Sequence, residues 1–257
     1  MLKKETAHRW VVTAAVALVL TAAPVFAASE YPLQPAGNDV GNIPSLQRGA
    51  RNFINYCMGC HSAQYVRYNR LAEDLGIRED QVIDNLMFAA DKPQETMTVA
   101  MPAGDAERWF GQAPPDLSLI ARSRGTDYLY TFLKSFYLED GRPTGVNNLV
   151  LANASMPHVL WELQGEQQAI FEEKTVTDSE GVEYTRTVFK ELEMSKPGRL
   201  SPEEYDRFVR DIVNFLDYVG EPMQLQRTRL GVWVIVFLLV FGLFAYLLKN
   251  EIWKDIK

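Results

Sequence analysis

Apolar residues run without a charged interruption in two places, one near each end of the chain. Near the start, Trp10–Leu20 follows Lys3, Lys4 and Arg9 and gives way to Pro24 and a cluster of alanines. A basic start, a short apolar run and a small-residue exit, with Val25 and Ala27 before the expected cut, are the layout of a secretory signal. Residues 1–27 are therefore expected to be removed; the helix-breaking Pro24 argues against an uncleaved anchor. The second run, Leu230–Leu248, holds 19 residues without a charge. As a helix it would reach about 28 Å, close to the hydrocarbon thickness of a bilayer. Trp233, Tyr246 and Trp253 stand near its two ends, where amphipathic rings favour the interface. A buried core helix seldom stays apolar on every face for that length, so the pattern predicts one transmembrane helix over 230–248.

Basic residues flank this run on both sides (Arg227 and Arg229 before; Lys249, Lys254 and Lys257 after), so charge does not orient it. Export by the signal does: residues 28–226 are expected outside the cytoplasmic membrane and the tail 249–257 inside.

Between these ends the patterning is mostly helical. Residues 28–44 are rich in Pro, Gly and Asn and read as an extended lead-in. Ser45 opens an amphipathic helix to about Tyr56, with Leu46, Ala50, Phe53 and Ile54 on one face. A second, shorter helical pattern occupies 70–90, and 91–115 is turn-rich. Asp116 caps a short helix ending at Gly125, and "DYLYTFLKSFYL" (127–138) predicts a longer one. "EDGRPTGVNN" reads as a loop. Residues 166–193 carry eight acidic and three basic side chains and alternate like a hairpin turning at Ser179–Gly181. The strongest helix signal is 201–219: Ser201 with Glu204 forms a capping box, Pro202 opens the helix, and Gly220 with Pro222 stops it.

Charge changes the picture in one respect. Removing residues 1–27 takes away three basic residues and one acidic residue, moving the formal charge from −7 to −9. So acidic a body suits a basic protein partner and does not suit nucleic acid.

The chemistry concentrates in "NFINYCMGCHSAQYVRYNRL", which holds the chain's two cysteines, Cys57 and Cys60, with His61 directly after the second. A thioredoxin-type dithiol belongs at the strand-to-helix turn of a βαβ unit, which this pattern lacks. A structural zinc needs four protein ligands, and His61 sits too close to Cys60 for the usual spacing. Covalent haem attachment accounts for all three residues: two thiols add to the two vinyl groups of one porphyrin, and the next side chain, His61, becomes the proximal ligand. One window implies one haem. For the sixth position the mature chain offers His158 and several methionines, with Met–Pro at Met101 and at Met156. A thioether would raise the potential, as an electron carrier needs; spacing does not rank Met101, Met156 and His158.

The segments "CMGCHSAQYVRYNRL", "APPDLSLIARSRGTDYLYTFL", "GRPTGVNN" and "ASMPHVLWEL", in that order and followed by a single C-terminal anchor, resemble the cytochrome c1 family, the haem subunits of ubiquinol–cytochrome c reductase (cytochrome bc1) complexes. The match covers essentially the whole mature chain and implies a Gram-negative bacterial source. It implies a mainly α, class I cytochrome c-like haem domain, with a small β-hairpin insertion and the C-terminal transmembrane helix. It also implies one covalent haem c on Cys57 and Cys60, His61 as proximal ligand and Met156 as distal ligand, leaving Met101 and His158 as minor alternatives. Arg122 would lie near a haem propionate with Tyr128 close by, and Pro114 and Pro115 would pack on the haem edge. The resemblance further implies a one-electron carrier rather than an enzyme in its own right. Its partners would be a cytochrome b subunit, a Rieske iron–sulfur protein, a c-type cytochrome acceptor and the lipid of the inner membrane, with the haem domain on the periplasmic side. Two rival readings share its features: a membrane-anchored monohaem cytochrome serving a terminal oxidase, and a peroxidase-like haem enzyme with an open sixth site. The acidic stretch 166–198 is longer than the compact form of the family and is expected to be a solvated surface hairpin.

Overall fold

The computed structural model describes residues 31–177 and 183–254. The expected signal segment 1–27, the hairpin turn at Ser179–Gly181 and the last three residues of the tail lie outside them. The chain divides after Pro32, and the elements described below belong to Leu33–Lys257.

The first helix, α1 (Ile43–Tyr56), is followed by β1 (Ala63–Arg67), α2 (Tyr68–Leu75), α3 (Glu79–Leu86), β2 (Thr96–Met97) and α4 (Ala103–Phe110). Then come α5 (Ile120–Arg124), α6 (Thr126–Lys134), β3 (Phe136–Leu138), β4 (Val146–Asn148) and α7 (Trp161–Gln164). A long hairpin, β5 (Gly165–Thr177) and β6 (Glu183–Pro197), precedes α8 (Pro202–Gly220) and the terminal α9 (Gln224–Ile252). The three sheets are antiparallel strand pairs: β1 with β2, β3 with β4, and β5 with β6. The fold is mainly α, as the sequence pattern predicts.

The core is the crossing of α1 and α8. Gly49 lets the two backbones touch: a Cβ at that position would lie 2.1 Å from the carbonyl oxygen of Asp211. Phe53 and Phe215 pack beside it with ring centroids 5.5 Å apart, among fully buried Leu46, Val209 and Ile212. Each such side chain contributes roughly 1.5–3 kcal/mol by leaving water. One polar pair crosses the same interface: Asp211 accepts from Ser45 Oγ at 2.6 Å and from the Arg48 guanidinium. The buried carboxylate is thus matched in charge and hydrogen bonds. The lead-in is pinned beside this core, Ala36 N donating to Asp127 and Arg210 Nε to Ala36 O, both at 2.8 Å.

Several boundaries differ from the sequence expectation. Asn42, not Ser45, caps α1, because the Ser45 hydroxyl is turned inward to Asp211. The 70–90 pattern is two helices, broken at Gly76, whose φ of 62° is left-handed. The turn-rich 91–115 contains α4, a surface helix with only Ala106 buried, too polar to show an apolar stripe. Asp116 does not cap α5; its carboxylate accepts from Ser118 N and Gln64 N, at 2.9 and 3.0 Å, and so fastens β1. The expected 127–138 helix stops at Lys134 and continues as β3. The capping box of Ser201 and Glu204 is present, and the hairpin is longer than the alternation suggested. Finally, α9 contains a 27-residue apolar span, Gln226–Ile252, none of its most apolar window buried against the protein. By length and composition it fits a single-pass membrane anchor.

Candidate functional site

Cys57 stands at the C-terminal cap of α1, its N–H donating to Phe53 O. The chain then curls about the Cys57 carbonyl, which accepts from Cys60 N at 3.0 Å and His61 N at 2.9 Å. This turn leaves both cysteines and His61 lining one cavity, while the intervening Met58 is buried in the core, its sulfur 3.5 Å from the Tyr68 hydroxyl. The cysteines form no disulfide.

The cavity has a volume of about 260 Å³ and opens to solvent at its mouth. Its walls are mainly apolar: Leu129, Phe132 and Leu133 of α6, Ile212 and Leu216 of α8, and Pro114 and Pro115 from the segment before α5. Met156 and Pro157 line it from the segment between β4 and α7. Arg124 supplies its cationic side chain, standing 5.5 Å from the ring centroid of Tyr128, which also lines it.

Burial sets the protonation of the site. It pushes the Cys57 thiol up to about 12, with nearby Cys60 adding to the rise. A redox dithiol needs the opposite shift, toward thiolate, so this environment does not suit disulfide exchange. Burial also lowers the pKa of His61, against the opposing pull of the Pro115 carbonyl and Asp116. His61 Nδ1 lies 2.7 Å from Pro115 O. A neutral ring that donates Nδ1–H to that carbonyl presents its Nε2 lone pair as a metal ligand, the usual outer-shell arrangement of a ligating histidine. Among the described residues no three His, Cys, Asp or Glu side chains converge on a metal-ion site. Two thiols, an imidazole held through Nδ1 on the Pro115 carbonyl and a thioether, all lining one apolar cavity, fit a covalently attached haem.

The sequence-predicted residues divide clearly. Cys57, Cys60, His61, Pro114, Pro115, Tyr128 and Met156 all line the cavity. Met101 and His158 do not. His158 is buried behind the wall and stacked on Phe136, with centroids 5.0 Å apart; burial pushes its pKa down to about 4. Arg122 is not among the residues that line the cavity. Its guanidinium is held by Glu221 at 2.9 Å and its aliphatic stem covers Gly220, so the cavity-lining arginine is Arg124. Glu221 is also bound by Arg227 at the start of α9, and these two arginines hold its carboxyl below the usual range.

Two further residues shape the site without any sequence signal beyond their polarity. Asn148 Oδ1 accepts from Ser135 Oγ and from the N–H groups of Val150 and Leu151, while its Nδ2 donates to Phe132 O at 2.8 Å. Asn147 Oδ1 accepts from Asn153 N at 2.8 Å, steadying a left-handed residue with φ of 64°. These amides tie the strand that Met156 follows to the end of α6.

Comparison with known proteins gives a family match to the Cytochrome C1 family over residues 39–256. Cytochrome c1 of Allochromatium vinosum is 51% identical over 224 residues, covering 87% of this chain and 89% of that protein. The ammonia monooxygenase gamma subunit of Nitrosomonas europaea is 43% identical over 229 residues, covering 88% and 90%. Cytochrome b/c1 of Bradyrhizobium diazoefficiens is 30% identical over 247 residues, covering 82% of this chain but 33% of that longer protein.

Proposed function

The chain belongs to the cytochrome c1 family, and from that premise we propose that it passes single electrons from a Rieske iron–sulfur protein to a c-type cytochrome within a ubiquinol–cytochrome c reductase. Family members carry one covalently bound haem c and serve as the electron carrier of that complex. Bound haem c supplies a one-electron ferric/ferrous couple. The protein's own residues do the rest. Cys57 and Cys60 would hold the group by thioether bonds. His61 would ligate through Nε2, oriented by its Nδ1–H on Pro115 O, and Met156 would ligate through sulfur. That thioether would favour the reduced metal and raise the potential, and the apolar walls from α6 and α8 would keep water away from it. Arg124, on the cavity wall, would pair with the propionate carboxylates, which its guanidinium fork suits.

One observation carries this reading: the Cys-x-x-Cys-His turn and Met156, about a hundred residues apart in the chain, line the same cavity. An anchor formed by α9 keeps the domain at the membrane surface, on the periplasmic side if the N-terminal signal exports it. The acidic body favours a basic acceptor, and that association weakens as salt rises.

Solubilised membranes separated by electrophoresis and stained for haem, followed by purification under mild detergent, test the proposal. A haem-positive band at the mass of this chain, travelling with a multi-span cytochrome b and a Rieske protein and reduced by quinol, is the expected result. Co-isolation with a terminal oxidase or a monooxygenase instead would overturn the assignment to a quinol–cytochrome c reductase, and absence of covalent haem would overturn the site.

A further inference from the structure

Four side chains at steps of four residues, Arg124, Tyr128, Phe132 and Phe136, form a continuous stack along one side of the molecule. The Arg124 guanidinium lies 5.5 Å from the Tyr128 centroid. Tyr128 and Phe132 are parallel at 6.2 Å, and Phe132 meets Phe136 edge-on at 5.1 Å. The series ends on His158, nearly parallel to Phe136 at 7° and 5.0 Å. Arg124, Tyr128 and Phe132 line the cavity, whereas Phe136 and His158 are buried behind it. His158 follows Met156 by two residues, and the residue between them is Pro157, whose ring fixes φ and stiffens the link. His158 Nε2 has no hydrogen-bond partner although it is buried, so hydrogen bonding through that atom does not account for the ring. The ring is held by hydrogen bonding to the Gly165 backbone and the Gln164 side chain and by its flat face against Phe136.

We propose that His158 is a positioning residue for Met156: by stacking on Phe136 of β3 it fastens the methionine-bearing segment to the aromatic series that continues onto α6 and holds the thioether sulfur in place for the haem iron. The inference rests on the reading of Met156 as distal ligand. The stack replaces regular backbone structure, which the segment between β4 and α7 lacks. The stack on Phe136 carries the positioning and the hydrogen bonds to Gly165 and Gln164 only support it, so a ring of similar shape keeps the thioether in place. Loss of the ring frees the segment without removing the sulfur.

The purified complex carrying His158→Leu, His158→Phe or Phe136→Leu tests this, with Met156→Leu as reference. The readouts are the haem midpoint potential, the far-red absorption of thioether-ligated ferric haem, and carbon monoxide affinity of the reduced protein. Met156→Leu abolishes the far-red band and opens the iron to carbon monoxide. His158→Leu and Phe136→Leu each lower the potential, weaken the band and raise carbon monoxide affinity by about tenfold or more, equivalent to about 1.4 kcal/mol. The double variant does little more than either single one, because both break the same contact. His158→Phe keeps the wild-type potential and band. Wild-type behaviour of both leucine variants, beside an altered Met156→Leu, overturns the positioning role and leaves the ligand in place. Loss of the band in His158→Phe also overturns it, since shape would then not be what counts. An unchanged spectrum in Met156→Leu overturns the ligand reading itself. Should His158→Leu fail to assemble, Phe136→Leu and His158→Phe carry the same test.

Discussion

Cys57 and Cys60 stand at the end of a 14-residue helix, whereas Met156 stands in a stretch without a helix or strand between Asn148 and Trp161. The cysteine-bearing helix is locked to α8 by a glycine crossing, a buried charge pair and close-packed rings. The methionine-bearing stretch is held by the amides of Asn147 and Asn148 and by one stacked histidine. On the first side backbone regularity sets the geometry, and the side chains fill space around it. On the second, side chains do the work that backbone hydrogen bonds do elsewhere. Covalent attachment tolerates a rigid platform and needs one. A thioether is a weak ligand whose bond depends on small displacements, so under the proposed ligation by Met156 the potential would be set largely from the side-chain-held wall.

The largest effect comes from breaking the rigid side. Gly49→Val places a branched side chain where even a Cβ meets Asp211 O at 2.1 Å. Overpacking typically costs about 1–3 kcal/mol and more where the neighbour cannot move, and here that neighbour is helix backbone. The expected outcome is failure of the domain to accumulate, measured as loss of the haem-stained band from membranes. Full accumulation with an unshifted melting temperature would show that the α1–α8 crossing is not the platform described.

Next comes the other wall. Asn148→Leu keeps side-chain bulk but takes the acceptor from the N–H groups of Val150 and Leu151 and leaves Ser135 Oγ only its bond to Phe132 O. Leaving such groups unpaired costs roughly 1–3 kcal/mol each, so a stability loss of about 2–6 kcal/mol is expected in thermal or denaturant unfolding. The comparison is sharpened by the accompanying readout: the haem potential should fall as well, because the strand preceding Met156 is released. A variant of the rigid side with a similar stability cost and no place on the cavity wall, such as Leu46→Ala, should leave the potential much closer to wild type.

This asymmetry also governs what could be read from sequence. The Cys-x-x-Cys-His window is local, and its chemistry follows from five consecutive positions. The helix α8 announces itself through a capping box, a leading proline and an apolar stripe. The wall around Met156 is different, because its supports are non-local. Asn147 and Asn148 look like turn residues until Phe132, Ser135 and Asn153 are brought to them. His158 looks like a rival ligand until Phe136 is found beneath it. Ser45 has the residue type of a helix cap, yet its hydroxyl is claimed by Asp211, 166 positions away. Helix α4 lacked an apolar stripe because its surface position requires little burial.

The smallest effects concern two arginines one residue apart from adjacency, Arg122 and Arg124, which share a helical turn and are indistinguishable by local pattern. Their roles are separated by Glu221, 99 positions from Arg122, which draws one guanidinium away and leaves the other at the cavity. Arg124→Gln should lower the haem potential, because removing a positive charge from the cavity wall relieves the oxidised metal more than the reduced one. Arg122→Gln breaks an ion pair whose arginine side chain is 55% exposed; such surface pairs contribute about 0–1 kcal/mol. A potential within error of wild type and a small, salt-sensitive drop in melting temperature are expected for it. If Arg122→Gln shifts the potential more than Arg124→Gln does, then Arg122 and not Arg124 answers the propionates, and the pairing with Glu221 gives way when the haem is bound.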